Sequence, residues 1–528
     1  MIKKQLYCAF SYNVHDSSVA FSLDDNIVLV LEAERIFKKK RKWCDKNEME
    51  FLIQYGLRCL NKDADDVKSW AMTTLQNPLL WENQINIFDK DNTPREPFWM
   101  DFNILGSKRK ILVINHHLAH AATYYLSNFA DALIITCDGG GDSECATVFE
   151  ADKNTLTRIK FDSKKLINGK FYGACSYFIY QEMHCEGKMM ALAGYGAPRK
   201  HILEKLERII YELNYLHYFD SQKILKKEFP EIKCDNKNIF EKEKLDFAAS
   251  VQKLFSDLRI KDISKIINEI KEAPNNLVMA GGVSLNLDTN TEILKAFPDI
   301  NQFIAPCCDD TGQSLGALSI LIVKEFGRRP NVKLPYLGMG ANSMTYDKDT
   351  VFKAVDILNK NGVVILHNGK AEIGPRALGN RSFIARPDNI GVKQVLSEKI
   401  KQRESYRPVA PVTIEEKVDD YFVGQKTSPF MLYKYDVIES KRELLMGAVH
   451  HDGSARVQTV SEGSNSFLYD LIKAFGDRTG IYVLLNTSLN LKGDPIANTI
   501  EDTIKIYNEI EEPKMLIYNG RIHNSALF

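Results

Sequence analysis

Apolar residues alternate with small and polar ones over residues 6–12, 18–22 and 27–31, which predicts three strands joined by a polar tip at 13–17 and a turn at Asp24, Asp25 and Asn26. The same plan returns at 132–136, 146–150 and 156–161, with a polar tip at 138–143 and a turn at 152–154. Two copies of strand, tip, strand, turn, strand predict a duplicated α/β fold whose hairpin tips face a shared cleft, the plan of actin-like phosphotransferase folds. Runs at 111–114 and 277–280 read as buried strands, and Phe247, Val251, Leu254, Phe255 and Leu258 make the apolar stripe of a helix. A helix of small residues is expected from Ser314. Residues 221–244 are polar and lysine-rich and read as a surface excursion, while FGRRPNVKLP at 326–335 looks like a linker and places a domain boundary near Asn331. Beyond it a strand is expected over 362–367, followed by a loop over 368–381.

The chain has 528 residues, of which 44% are hydrophobic and 26% charged, an ordinary soluble globular composition. Its 69 basic side chains are matched by 69 acidic ones, for a net charge of +0. Affinity for a polyphosphate backbone needs a basic surplus, so nucleic acid is not expected as a partner. The 10 cysteines contain no CxxC and only one adjacent pair, Cys307 and Cys308, so reduced thiols and a cytoplasmic location are expected rather than a zinc ribbon or a disulfide framework. Two lysines open the chain, but Ser11, Asn13, His15 and Asp16 interrupt any apolar core of a leader, and no apolar run approaches the length of a membrane span.

The candidate chemistry centres on NHHLAHAATYYLSNFADALIITCDGGG at 115–141. His116 and His120 stand four apart in a segment of helical composition, which puts both imidazoles on one face. Asp138 follows an apolar run at the mouth of a glycine turn. Two imidazoles with carboxylates and open positions suit a catalytic first-row metal such as iron or zinc, although an isolated HxxxH is common by chance. His117, between the pair, points elsewhere on the helix. Downstream, the pair Gly281 and Gly282 after a strand lets a ligand approach the backbone, and an aspartate on the turn at 309–310 is placed to close a metal site. The run Lys38 to Arg41 is either a solvated face or an anion contact at the cleft.

HHLAH followed by DGGGD, EGKMMALAGYG at 186–196, AGGVSLN at 280–286 and DDTG at 309–312 resemble the N-terminal half of the NodU/CmcH carbamoyltransferases. GPRALGNRS at 374–382, KQRESYRPVAP at 401–411, DGSARVQTV at 452–460 and NTSLNLKGDPI at 486–496 resemble its C-terminal half, so the likeness spans nearly the whole chain in order. Three positions depart from the family pattern: Ile36 in place of the aromatic of an E-R-F motif, Gly187 in place of an aromatic, and Gly194 in place of a proline.

The resemblance implies a duplicated actin-like, TsaD-like domain over 1–330 and a YrdC-like α/β domain over 331–528. It implies that ATP and carbamoyl phosphate give carbamoyl adenylate in the second domain and that the first passes the carbamoyl group to a hydroxyl of a small-molecule or sugar acceptor. The implied metal ligands are His116, His120, Asp138 and Asp310, with Fe2+ the usual ion and Mg2+ accompanying ATP. Guanidinium forks bind phosphate oxygens bidentately. Arg376, Lys401, Arg407 and Arg456 are therefore expected around carbamoyl phosphate, with Asn486 at its carbamoyl end. Lys188, Gly281, Gly282 and Asn286 are assigned to the nucleotide, and His15 to the acceptor or the carbamoyl group. The resemblance leaves room for a homodimer. The rival readings are a threonylcarbamoyl transferase acting on transfer RNA, which the missing basic surplus disfavours, and a non-catalytic actin-fold ATP-binding module, which leaves the C-terminal arginines unexplained.

Overall fold

The computed structural model describes residues 4–74, 96–162, 165–235, 238–270, 273–404 and 406–523. The first sheet contains β1 (Leu6–Ser11), β2 (Ser18–Leu23), β3 (Asn26–Glu32), β4 (Val67–Thr73), β5 (Phe98–Ile104) and β6 (Ser107–Ile114), in the order β3-β2-β1-β4-β6-β5. The second contains β7 (Asp131–Gly141), β8 (Glu144–Asp152), β9 (Thr155–Arg158), β10 (Asn276–Ala280) and β11 (Asn301–Phe303), in the order β11-β10-β7-β8-β9. In each sheet a three-strand antiparallel meander is extended by two parallel strands beyond its first strand, with β5 added at the edge of the first. The fold is thus mixed α/β with a repeated strand order, as the duplicated sequence pattern predicts.

Two expectations need correcting. The strand expected over 132–136 runs on to Gly141, because a register shift between Cys137 and Gly141 absorbs the glycines as a bulge. Asp142 and Ser143, both at positive φ, then make the turn into β8. The polar stretch 221–244 is only partly an excursion, since helix Tyr218–Glu228 takes up its start and buries Gln222 and Leu225. Lys244 lies inside as well, with Nζ 2.9 Å from the Asp235 carboxylate.

The stretch 327–335 links the two halves of the chain and is strapped to the first. Arg329 lies 4.2 Å over the Tyr124 ring and donates to the Phe129 carbonyl at 2.6 Å, and Arg328 pairs with Asp25 at 2.8 Å. Beyond it a seven-stranded sheet runs in the order Gln458–Val460, Ala410–Ile414, Val483–Ser488, Arg381–Ala385, Val363–His367, Lys514–Tyr518, Arg521–Ile522. Its strand Val363–His367 alternates strictly. Val364 and Leu366 join a core with helices Lys348–Asn359 and Ser466–Thr479, whereas Val363 and Ile365 pack with Val392, Leu396 and Ile506 on the other face. The first of these clusters also contains Leu133, Ile135, Leu277 and Met279 of the second sheet, so one apolar core crosses residue 331. All 10 cysteines are free, and among the described residues no helix is long and apolar enough to cross a membrane.

Candidate functional site

Strand β6 ends at Ile114, and the Asn115 side chain accepts the backbone N–H groups of His117 and Leu118, starting the short helix His116–Ala121. The bulge in β7 aims Asp138 at this helix, and the turn before helix Gln313–Phe326 brings in Asp310. The two helices meet closely: a Cβ on Gly316 would stand 2.0 Å from the Ala119 carbonyl, and Gln313 donates to the His116 carbonyl at 3.2 Å. Gly141 leaves room for the His116 ring, which would lie 2.2 Å from a Cβ there.

The result is a buried set of two imidazoles and two carboxylates whose ligand atoms lie within 4.8 Å of one another. His120 Nε2 is 3.2 Å from both Asp138 Oδ2 and Asp310 Oδ1, and His116 Nε2 is 3.8 and 3.7 Å from the same atoms. Ligands about 2.1 Å from one ion stand about 3.0 Å apart at right angles and about 3.4 Å apart at tetrahedral angles. The four groups fit a divalent first-row metal in both chemistry and spacing. Burial opposes ionisation of Asp138 and Asp310, but the facing imidazoles outweigh it and hold both carboxyls below the usual range. The same carboxylates raise His120 to about 9 against the effect of its burial. His117 takes no part. Its nitrogens are engaged by Thr136 Oγ1 at 2.8 Å and the Glu144 carbonyl at 3.1 Å, and burial followed by the neighbouring imidazoles lowers it to about 3.

His15, in the tip between β1 and β2, faces this set with Nδ1 2.9 Å from Asp16 Oδ2 and 3.7 Å from Asp310 Oδ2. Burial lowers its pKa, but Asp16, Asp310 and Asp138 outweigh burial and raise it to about 9 in the metal-free protein.

The residues assigned to a nucleotide divide. Gly282, Asn286 and Lys188 line the cavity next to the metal set. Gly281 instead lets the end of β10 approach β7: its φ is 90° and a Cβ would lie 2.2 Å from the Cys137 carbonyl. Asn286 is engaged locally, capping helix Leu287–Ala296 and donating to Gln252 at 3.1 Å. Lys188 pairs with Glu182 and Glu404, each at 3.1 Å.

Arg376, Arg403, Arg407 and Arg456 form another part of the cavity wall. Burial, and then the other guanidiniums, depress the pKa values of Arg376, Arg403 and Arg456. Two acids act on them, Glu404, 3.6 Å from Arg407, and Asp309, whose charge is felt at Arg376. The Nε atoms of Arg376, Arg403 and Arg456 are buried donors without a hydrogen-bond partner among the described residues. Asn486 donates to the Ala377 carbonyl at 3.2 Å and to Gln458 Oε1 at 2.7 Å, and its buried Oδ1 has no hydrogen-bond partner among the described residues. Idle donors and one idle acceptor in a field of positive charge describe the complement of a small anion with an N–H group.

Lys401 lines the cavity as well. Its Nζ is held by Ser488 Oγ and the Asn490 carbonyl at 3.0 Å, and by the Ser488 carbonyl and Asn490 Oδ1 as well, so it braces the strand end that follows Asn486. Arg403 joins the arginines too, because the chain turns between residues 400 and 404. Lys39, Lys40 and Arg41 also reach the cavity wall. The basic run signalled them, whereas nothing in the spacing singled out Arg403. Both walls bound one cavity of about 1440 Å³, which reaches from Asp138 and Asp310 to Arg456 and Asn486.

The family model described as carbamoyltransferase N-terminus matches residues 101–319, and the one described as carbamoyltransferase C-terminus matches 355–523. The nodulation protein NolNO of Sinorhizobium fredii is 28% identical over 539 residues, covering 94% of this chain and 77% of that protein. An uncharacterized protein of Methanocaldococcus jannaschii is 31% identical over 437 residues, covering 78% and 83%. A 3'-hydroxymethylcephem-O-carbamoyltransferase of Amycolatopsis lactamdurans is 31% identical over 334 residues, covering 60% and 61%.

Proposed function

The chain belongs to the carbamoyltransferase family, and on that premise we propose that it is an ATP-dependent O-carbamoyltransferase that makes and uses carbamoyl adenylate. The observation that carries this reading is the C-terminal pocket, in which four guanidiniums converge beside the unpartnered Oδ1 of Asn486. Carbamoyl phosphate is a dianion with one amide end. Arg376, Arg403, Arg407 and Arg456 would take its phosphate oxygens, and Asn486 Oδ1 would accept from its NH2.

By atom balance, carbamoyl phosphate, ATP and water give carbamoyl adenylate, phosphate and pyrophosphate. The acceptor hydroxyl then attacks the carbamoyl carbon and AMP leaves. We assign the first step to a YrdC-like unit over 331–528 and the second to a TsaD-like unit over 1–330. The adenylate hydrolyses readily in water, and a common cavity of about 1440 Å³ lets it pass between the walls without release. At the receiving wall His116, His120, Asp138 and Asp310 would hold a divalent ion, which we take to be Fe2+. When bound, the ion would supply Lewis-acid polarisation of a phosphate or carbonyl oxygen. His15, facing the same set, would donate a hydrogen bond to the carbamoyl oxygen or to departing AMP. Gly282 and Lys188 would face the nucleotide, with Mg2+ accompanying ATP.

Pyrophosphate release on mixing the protein with ATP and carbamoyl phosphate tests the reading. Release should require both substrates and be lost in Arg376→Ala and Arg407→Ala. Wild-type protein that releases none with any divalent metal would contradict it.

A further inference from the structure

Glu32 and Arg35, at the corner between β3 and helix Ala33–Phe37, are 5% and 4% exposed and take no part in the chemistry above. Arg35 Nε lies 2.6 Å from Glu32 Oε2, and its two terminal nitrogens donate to the carbonyls of Glu372 at 2.6 Å and Gly374 at 2.7 Å. The other Glu32 oxygen accepts the Gly374 N–H at 2.6 Å. Gly374 is therefore gripped at both its N–H and its carbonyl by two side chains from the far end of the sequence. Its other side is blocked, since a Cβ there would stand 2.2 Å from the Pro306 carbonyl, in the segment that leads to Asp310. The loop is wedged between the first sheet and the strand end that supplies a metal ligand. Two residues on is Arg376, whose Nε has no partner among the described residues, so the backbone of this loop sets where its guanidinium stands.

We propose that Glu32 and Arg35 are positioning residues that fix the Arg376 loop in register with the metal set, and so hold the carbamoyl phosphate pocket in its binding geometry. An apolar contact could press these surfaces together, but only directional, charge-assisted bonds to one peptide group fix its orientation. This rests on the reading of function given above.

The test is calorimetric titration of the whole protein with carbamoyl phosphate and, separately, with ATP. Arg35→Lys keeps the ion pair but cannot span two carbonyls. Its affinity for carbamoyl phosphate should fall about tenfold or more, with ATP affinity within twofold of wild type and the thermal midpoint little changed. In pyrophosphate release, KM for carbamoyl phosphate should rise more than kcat falls. Glu32→Gln keeps an acceptor for the Gly374 N–H and should give a smaller loss in the same direction, and it carries the test by itself should Arg35→Lys fail to fold. Wild-type carbamoyl phosphate affinity in a folded variant overturns the proposal, as does an equal loss for both ligands, which marks a mere staple. Wild-type protein that binds no carbamoyl phosphate overturns the functional reading itself, and this proposal with it.

Discussion

Gly141→Ala probes the metal set without touching a ligand. The added Cβ would lie 2.2 Å from Cδ2 and 2.6 Å from Nε2 of His116, where ordinary contact begins near 3.4 Å, so the ring must retreat by about 1.2 Å. The ring is fully buried and its backbone N–H is tied to Asp142 at 2.7 Å, so the retreat takes Nε2 away from Asp138 and Asp310. Metal–ligand distances tolerate only about 0.2 Å. Disturbing a group that merely orients a ligand costs about 10–100-fold in affinity, so displacing a ligand should cost at least about 100-fold. Competition titration of Fe2+ or Zn2+ against a chromogenic chelator, with metal content measured by mass spectrometry, reads this directly. Gly463→Ala, where a Cβ meets nothing within 4 Å, is the control and should match wild type. If folded Gly141→Ala binds one ion with an affinity within threefold of wild type, the four residues do not grip a common ion.

Other expectations follow from the arginine wall and from titration. Arg456→Met removes one of four mutually repelling guanidiniums. Carbamoyl phosphate should bind about 10–100-fold more weakly while the ligand-free protein gains about 1 kcal/mol, read by calorimetry and by denaturant midpoint. Lys401→Met leaves the acceptors at Ser488 and Asn490 unsatisfied. It should cost about 2–3 kcal/mol in denaturant unfolding, with a smaller effect on carbamoyl phosphate affinity than Arg456→Met has. In chelator, His120 has a folded pKa of about 9 against 6.5 unfolded, so its contribution to stability is complete below pH about 6.5 and is lost as pH rises through about 9. The thermal midpoint of the metal-free protein should fall across that window, and a midpoint that rises instead would contradict the imidazole–carboxylate contacts.

What the sequence makes legible is local. Alternation marks β1 to β3 and β7 to β9 because their two faces pack differently, as in β1, where Tyr7 and Ala9 join one apolar cluster and Leu6, Cys8 and Phe10 another, and the repeat of the pattern gives the shared strand order. The spacing of His116 and His120 translates directly into one helix face, since that geometry needs no tertiary information. Choosing between Asp309 and Asp310 took the family pattern. In the structure Asp309 turns to Thr311 at 2.5 Å while Asp310 meets the imidazoles. That Arg403 joins the arginines and that Lys401 also braces the 488–490 loop depends on how the chain bends between residues 400 and 404 and on where that loop stands, neither of which periodicity encodes. The grip of Glu32 and Arg35 on Gly374 joins groups more than 330 residues apart, and a buried ion pair in a charged stretch looks like a solvated one until the fold encloses it.

The central claim is that one cavity charges a carbamoyl group onto a nucleotide at its arginine wall and releases it at its histidine–aspartate wall. Trapping tests it most directly. The metal-loaded protein is incubated with ATP and 13C-labelled carbamoyl phosphate, with hydroxylamine in place of the acceptor. Mass spectrometry should find labelled hydroxyurea, above the amount formed from carbamoyl phosphate and hydroxylamine in an enzyme-free control, equal to the AMP, with pyrophosphate released in step and no excess over that control when ATP is omitted. Conversion of ATP to ADP, or labelled product above the enzyme-free control formed without ATP, would contradict it.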